Sequence, residues 1–227
     1  MSRLRRMTFS VRDVGAIPAW QQRALQRSLA NARARSVERL SRFVDAARQL
    51  ASETGDSSFT VQQVVQRSGL SLKSFYGSFE GKDALLLALI EEDTGIGAQA
   101  LAEWVAEHDD PVDRLRAYVH GLLSFLALGE ASYVSMLMRE QRRLEQADPD
   151  AMALALGPFI DLLESLLVDA VQAGEVRPGD QRRDAATIFN LALDQIHALG
   201  AGPSSDEAER AADYLWRFCW SGLRGDA

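Results

Sequence analysis

The sequence predicts an all-α chain, in which a small three-helix domain is followed by a larger helical one; three observations carry that reading. Apolar residues recur at spacings of three and four, as in Val37, Leu40, Val44, Ala47 and Ala51, the period that gathers side chains on one helix face. Gly, Pro and Asp fall between such stretches, at Gly55, Gly69, Asp110, Pro111 and Pro149, where they end one helix or start the next. No stretch alternates apolar and polar residues for long enough to make a strand. With 227 residues, 47% of them apolar, the chain is large enough for two ordinary domains.

Taken in order, residues 1–32 form a basic extension. MSRLRRMTFSVR has little apolar periodicity and reads as a mobile tail; it lacks the apolar run that a secretory signal needs. Pro18 suits the first position of an extra helix edged by Trp20, Leu25 and Leu29, which either runs into the next helix or breaks near Asn31. A helix over about 34–53 ends at Gly55. Thr60 then caps a short helix whose stripe is Val61, Val64 and Val65, and Gly69 ends it by taking positive φ. Leu70 turns inward, and Ser71 caps a second short helix reaching about Phe79. Phe75 and Phe79, four apart, face the core, while Ser71, Leu72, Lys73, Ser74, Gly77 and Ser78 point outward. Further helices follow at about 82–107, with Gly95 and Gly97 as weak points, and from Asp110 and Pro111 to about Leu128. Others run from Ala131 to about Gln146, from 148–150 to Gly174 with Pro158 kinking or splitting it, and over 181–199 and 205–223. The total is about nine helices plus the N-terminal extra one.

Two helices joined by so tight a turn cross steeply, and the second of such a pair is shaped to enter a major groove. The spacing T-x-x-x-V-x-x-x-S-G-L-S-x-x-S-F-Y-x-x-F-x-x-K-x-x-L, which starts at Thr60, resembles the DNA-binding signature of TetR-type transcriptional regulators. That resemblance implies that Tyr76 and Lys82 grip DNA phosphates and that Thr60 contacts the backbone from the first helix of the motif. With the outward residues of the second helix, the expected DNA-binding set is Thr60, Ser71, Leu72, Lys73, Ser74, Tyr76 and Lys82. Taken alone, Tyr76 beside two phenylalanines also fits a place in the core. The reading face departs from the family: many members carry a basic residue and a glycine where this chain has Leu72 and Lys73, and a larger polar or aromatic pair where it has Gly77 and Ser78. The operator sequence therefore does not carry over.

Charge agrees with double-stranded DNA as the partner. Residues 1–82 hold 14 Lys+Arg against 6 Asp+Glu, a net +8, whereas residues 83–227 come to −15, so that the chain as a whole is −7. A field split in this way orients the chain on a polyanion. Both lysines, Lys73 and Lys82, lie in the motif or at its edge. Arg3, Arg5, Arg6 and Arg12 could follow a minor groove as basic arms do; a solvated tail fits them equally well.

The domains are expected at 1–32, 33–82 and 83–227. By resemblance the last both dimerises and holds a small-molecule effector. The final two helices are more apolar around their perimeter than one core-facing stripe requires, which points to a homodimer interface at Leu193, Ile196, Tyr214, Leu215 and Phe218. Aromatic residues and methionine in the middle helices suit an apolar pocket, with Trp104, Tyr118, Phe125, Tyr133, Met136, Phe159, Phe189 and His197 as lining; at helical spacing the same residues also fit plain core. His120, Asn190, Asp194 and His197 are the polar candidates. No metal is expected, because no multi-ligand spacing occurs and Cys219 is the only cysteine, and no cofactor is expected. Enzyme motifs are absent: GSFEGKD has the wrong spacing for a phosphate loop, and Asp83 stands where Ser or Thr would hold magnesium. No apolar run approaches the roughly 20 residues of a membrane span, and the expected location is cytoplasmic. These residues together read as a ligand-responsive repressor binding a palindromic operator as a homodimer. The alternative is a DNA-bound adaptor whose C-terminal domain binds a protein.

Overall fold

The computed structural model describes residues 18–128, 131–200 and 203–224, apart from the side chains of 125–128 and 131. Nine helices and no strand are found among the described residues, so the chain is all-α. It divides into two compact units, Met1–Ser41 and Arg42–Ala227.

In the first unit the only described structure is the start of α1 (Ala19–Thr54), which continues through Asn31 without a break. Its residues 19–35 are all exposed, including the apolar edge of Trp20, Leu25 and Leu29. Arg3, Arg5, Arg6 and Arg12 lie outside the described residues.

In the second unit α1 buries Phe43, Val44, Ala46, Ala47, Leu50 and Ala51. Val37 is exposed, so the buried stripe begins later than the periodicity suggests. Next come α2 (Val61–Ser68) and α3 (Leu72–Tyr76). Phe75 stands edge-on to Phe43 at 5.4 Å between ring centroids, and Phe79 stands edge-on to Phe43 at 6.1 Å, an arrangement that adds to the value of burying aromatic area. Helix α3 ends three residues before Phe79. The N–H groups of Ser78 and Phe79 both donate to the Phe75 carbonyl at 2.8 Å, forming a turn that still brings Phe79 into the core.

The remaining helices are α4 (Lys82–Val105), α5 (Pro111–Leu128), α6 (Ala131–Ala147), α7 (Pro149–Gln172), α8 (Gln181–Leu199) and α9 (Ser205–Leu223). Helix α4 packs on α5, α6 and α7; α7 packs on α8, and α5 on α9. Their core is built from residues such as Leu101, Tyr118, Leu123, Leu167, Phe189 and Leu215. Helix α4 runs through Gly95 and Gly97 without a break. Gly97 lies close to Phe159: a Cβ there would be 3.0 Å from its Cζ, so the ring would have to give by a few tenths of an ångström. Helix α7 is not split at Pro158; Pro158 and Leu154, one turn before it, are both exposed, so water can serve the carbonyl that proline leaves without a donor.

Contrary to the expectation that no apolar stretch approaches a membrane span, α7 is long and apolar enough to cross one by length and composition. Its buried residues, among them Met152, Leu163, Leu166 and Leu167, pack in the helical core, while Leu154 and Val168 on the same helix are exposed.

The α4–α5 seam depends on Gly121. A Cβ at that position would meet Cδ1 of the fully buried Leu101 at 2.5 Å and Cε3 of Trp104 at 3.0 Å. Gly121→Ala is therefore expected to lower stability by about 1–3 kcal/mol through overpacking, read as a lower midpoint in urea with an unchanged slope.

Candidate nucleic-acid interface

Local capping chemistry shapes the motif. The Thr60 hydroxyl accepts the Gln63 N–H at 3.2 Å while the Gln63 side chain accepts the Thr60 N–H at 2.7 Å, a reciprocal pair that satisfies donors otherwise left open at a helix start. Gly69 takes φ 66° and its N–H donates to the Gln66 carbonyl at 3.3 Å. Ser71 then caps α3, its hydroxyl accepting the Ser74 N–H at 3.1 Å. Arg42 holds the turn from α1, Nη2 donating to the Ser68 carbonyl at 2.5 Å. Arg67 and Glu53 form a two-pronged pair at 2.7 and 2.8 Å, and the guanidinium hydrogen bond lowers the Glu53 carboxyl below its usual range.

The turn sets which side chains of α3 face out. Phe75 is fully buried, Ser74 is half-buried, and Ser71, Leu72 and Lys73 are exposed. Tyr76 is 59% exposed, so of its two sequence readings the core place is excluded; its ring stands edge-on to Phe75 at 5.4 Å. Thr60 is exposed at the start of α2. Lys82 is placed differently. Its Nζ donates to the Ser57 carbonyl and sits 4.8 Å from the ring centroid of the buried Phe59, tying the start of α4 to the loop before α2.

Among the described side chains, the expected pocket residues do not converge on one cavity. Tyr118 is buried, its hydroxyl donating to the Phe159 carbonyl at 2.9 Å, and burial holds its pKa well above the usual phenol value. Met136 and Phe189 are core, and Phe189 stacks on Phe159 at 5.9 Å. Trp104 lines an open groove of about 430 Å³ with His108, Arg116 and His120. His197 lines a separate recess of about 200 Å³ beside Arg139 and Arg142. Asn190 and Asp194 are exposed. The side chain of Phe125 lies outside the described residues. Among the described residues no group of three or more His, Cys, Asp or Glu is placed to hold a metal ion.

Phe159 lines a recess of about 160 Å³ between α4, α6 and α7, together with Ile90, Asp93, Thr94, Leu137 and Gln141. Gln141 is only 9% exposed and its Nε2 has no hydrogen-bond partner, an omission that costs about 1–3 kcal/mol for a buried donor. The Tyr133 hydroxyl donates to Asp93 Oδ2 at 2.5 Å. Arg48 of α1 donates to Asp93 Oδ1 at 3.1 Å from Nε and 2.8 Å from Nη2. Burial pulls the Arg48 pKa down, but the hydrogen bonds to Glu92 and Asp93 outweigh it and raise the net value. Sequence reasoning missed Thr94 and Gln141. The available signal was a polar residue interrupting an apolar stripe, at Leu86, Ile90, Thr94 and again at Leu137, Gln141, Leu144.

The expected dimer residues separate into two groups. Ile196 and Leu215 are buried within the chain and Leu193 packs against its core, because α8 and α9 turn those stripes toward their neighbours. Tyr214 and Phe218 are 61% and 62% exposed. Phe218 borders a groove of about 460 Å³ with Thr187, Leu191 and Leu223.

Residues 43–89 match the family of bacterial regulatory proteins, tetR family. The chain is similar to the Fatty acid metabolism regulator protein of Bacillus subtilis (strain 168), with 23% identity over 65% of this chain and 76% of that protein. It is also similar to the HTH-type transcriptional regulator UidR of Escherichia coli (strain K12), with 25% identity over 76% of this chain and 85% of that one. A TetR-family transcriptional regulator from Pectobacterium atrosepticum superposes with a TM-score of 0.66 at 19% identity, covering 86% of this chain and 98% of that chain, which shows a shared fold.

The roles of Tyr76, which is exposed, and Lys82, which is half-buried, separate by stability. Lys82→Ala removes a part-buried hydrogen bond to the Ser57 carbonyl and a cation–π contact and is expected to cost roughly 1 kcal/mol of stability, whereas Tyr76→Ala leaves stability within about 0.5 kcal/mol of the parent, both read by thermal unfolding without DNA.

Proposed function

We propose that this chain, a DNA-binding transcriptional regulator whose amino-terminal domain belongs to the tetR family of bacterial regulatory proteins, works as a homodimeric repressor released by a small, largely apolar effector. In this reading residues 33–82 read DNA, residues 83–227 bind the effector and dimerise, and residues 1–32 are an extension.

The observation that carries the proposal is α3: Leu72, Lys73 and Tyr76 stand exposed on a helix locked from below by the buried Phe75. A short helix fixed in that way offers a face to a major groove. Thr60, Ser71 and Ser74 add hydroxyls suited to phosphate or base edges, and Lys73 adds a cation. Lys82, held at Ser57, acts first by setting the loop before α2 and brings its charge to the same edge. The split of +8 and −15 between residues 1–82 and 83–227 favours approach by the N-terminal side.

Dimerisation is assigned to the outer face of α8 and α9, where Tyr214 and Phe218 continue an apolar strip past Leu191. Ile196 and Leu215 support that face from within the chain. A two-fold pair would set two α3 helices at successive major grooves, about 34 Å apart, over a palindromic site. Effector binding that favours a different spacing weakens the DNA complex; by linkage, a tenfold loss of DNA affinity is about 1.4 kcal/mol and weakens effector binding to the DNA-bound form equally.

One observation favours a second reading. The recess of about 160 Å³ is below the roughly 300–1,000 Å³ of sites for drug-sized ligands, and the larger grooves of about 430 and 460 Å³ are open at the surface, as an adaptor that docks a protein would have them.

Titration of the full-length chain with genomic fragments at low ionic strength tests the proposal: a subset should be retained and should share an inverted repeat, and retention of none overturns it. On such a duplex Tyr76→Ala and Lys82→Ala should weaken binding regardless of sequence, with the log–log salt slope reduced by about one for the lysine, while Lys73→Ala and Ser74→Ala alter base preference. Tyr214→Arg combined with Phe218→Arg should sediment as a monomer where the parent is a dimer.

A further inference from the structure

We infer that the recess between α4, α6 and α7 takes a compact, neutral, one-ring molecule bearing a hydrogen-bond acceptor, read by Gln141, and that Arg48 carries its occupancy through Asp93 to α1. The inference rests on the effector-responsive reading above and names the effector's chemistry and its route.

Size and lining define the class of molecule. A cavity of about 150 Å³ is enough for benzene, and this one measures about 160 Å³. Ile90, Leu137 and Phe159 give it apolar walls. Gln141, nine-tenths buried, leaves its Nε2 donor unused there, and buried donors in native proteins are nearly always paired. A ketone, ester or amide carbonyl supplies what is missing. Asp93 lines the same recess and Glu92 adjoins it in sequence, so a carboxylate ligand would meet like charge.

The route follows from the contacts of one side chain. Asp93 accepts from Tyr133 of α6 and from Arg48 of α1, and Arg48 also reaches Glu92 at 2.6 Å and Asp45 at 2.9 Å. Arg48 lies within the stretch of α1 that buries Phe43, Ala47 and Ala51, and Phe43 is the ring against which Phe75 of α3 stands. A ligand that draws Asp93 toward itself or crowds it aside changes the hold of α4 and α6 on α1. Arg48 and Tyr133 are positioning residues: neither lines the recess.

The test uses the full chain and three probes of similar shape: acetophenone, ethylbenzene and benzoate. Calorimetry without DNA should show acetophenone binding at least about tenfold tighter than ethylbenzene or benzoate, and Gln141→Leu should bring acetophenone and ethylbenzene within about twofold. Equal binding of acetophenone and ethylbenzene by the parent, or no binding of any probe, overturns the assignment of the site. With an operator duplex, saturating acetophenone should lower the parent's DNA affinity about fivefold or more. In Arg48→Met, and separately in Tyr133→Phe, acetophenone should still bind but change DNA affinity less than about twofold. An undiminished DNA effect in both variants overturns the route. A chain that binds acetophenone selectively but retains no DNA refutes the regulator reading and leaves the site standing, so the two failures are distinguishable.

Discussion

Everything the N-terminal motif offers depends on the burial of Phe75 against Phe43 and Phe79. Helix α3 has five residues, far below the length at which a helix holds itself together in water. Its order comes instead from the Ser71 cap at one end and the aromatic contacts beneath it. Because Phe75 has only one place to go, Leu72, Lys73 and Tyr76 have only one direction to face. The surface thus follows from the core, and Lys82, over the Phe59 ring and on the Ser57 carbonyl, ties the start of α4 to the loop before α2.

The second dependence is electrostatic. Arg48 and Asp93 join α1 to α4, and Tyr133 brings in α6, with the carboxylate only partly exposed. A partly buried pair loses much when one partner is disturbed, since the other is left desolvated and unpaired. That makes the junction sensitive to what happens in the recess beside it, and the unsatisfied Gln141 amide shows where something can happen. The arrangement joins the packing of α4 and α6 to the part of α1 that supports α3.

The sequence made the local features legible and left the spatial ones hidden. Thr60, Gly69 and Ser71 were readable because capping needs only residues three or four apart, and the structure has the caps in those places. The length of α3 was overread, since Phe79 reaches the core from a turn as well as it would from a helix. The engagement of Lys82 with Ser57 was invisible, because it arises only when α4 and the loop before α2 meet. Periodicity showed that α8 and α9 carry two apolar stripes each, but not that Ile196 and Leu215 belong to the inner ones and Tyr214 and Phe218 to the outer. The scattered fate of Trp104, Tyr118, Met136 and His197 has the same origin: spacing places a residue on a face, and only the packing decides which seam that face meets. Thr94 and Gln141 stood in view as polar breaks in apolar stripes, a signal that aromatic content alone obscures.

Hydrogen exchange of the full-length chain, with and without a retained duplex, tests the central claim most directly. The account predicts that DNA slows exchange across residues 60–82, with its largest effect at the amides from Ser71 to Gly77. Protection confined to α5–α9, with α2 and α3 exchanging as they do in the free chain, would contradict it.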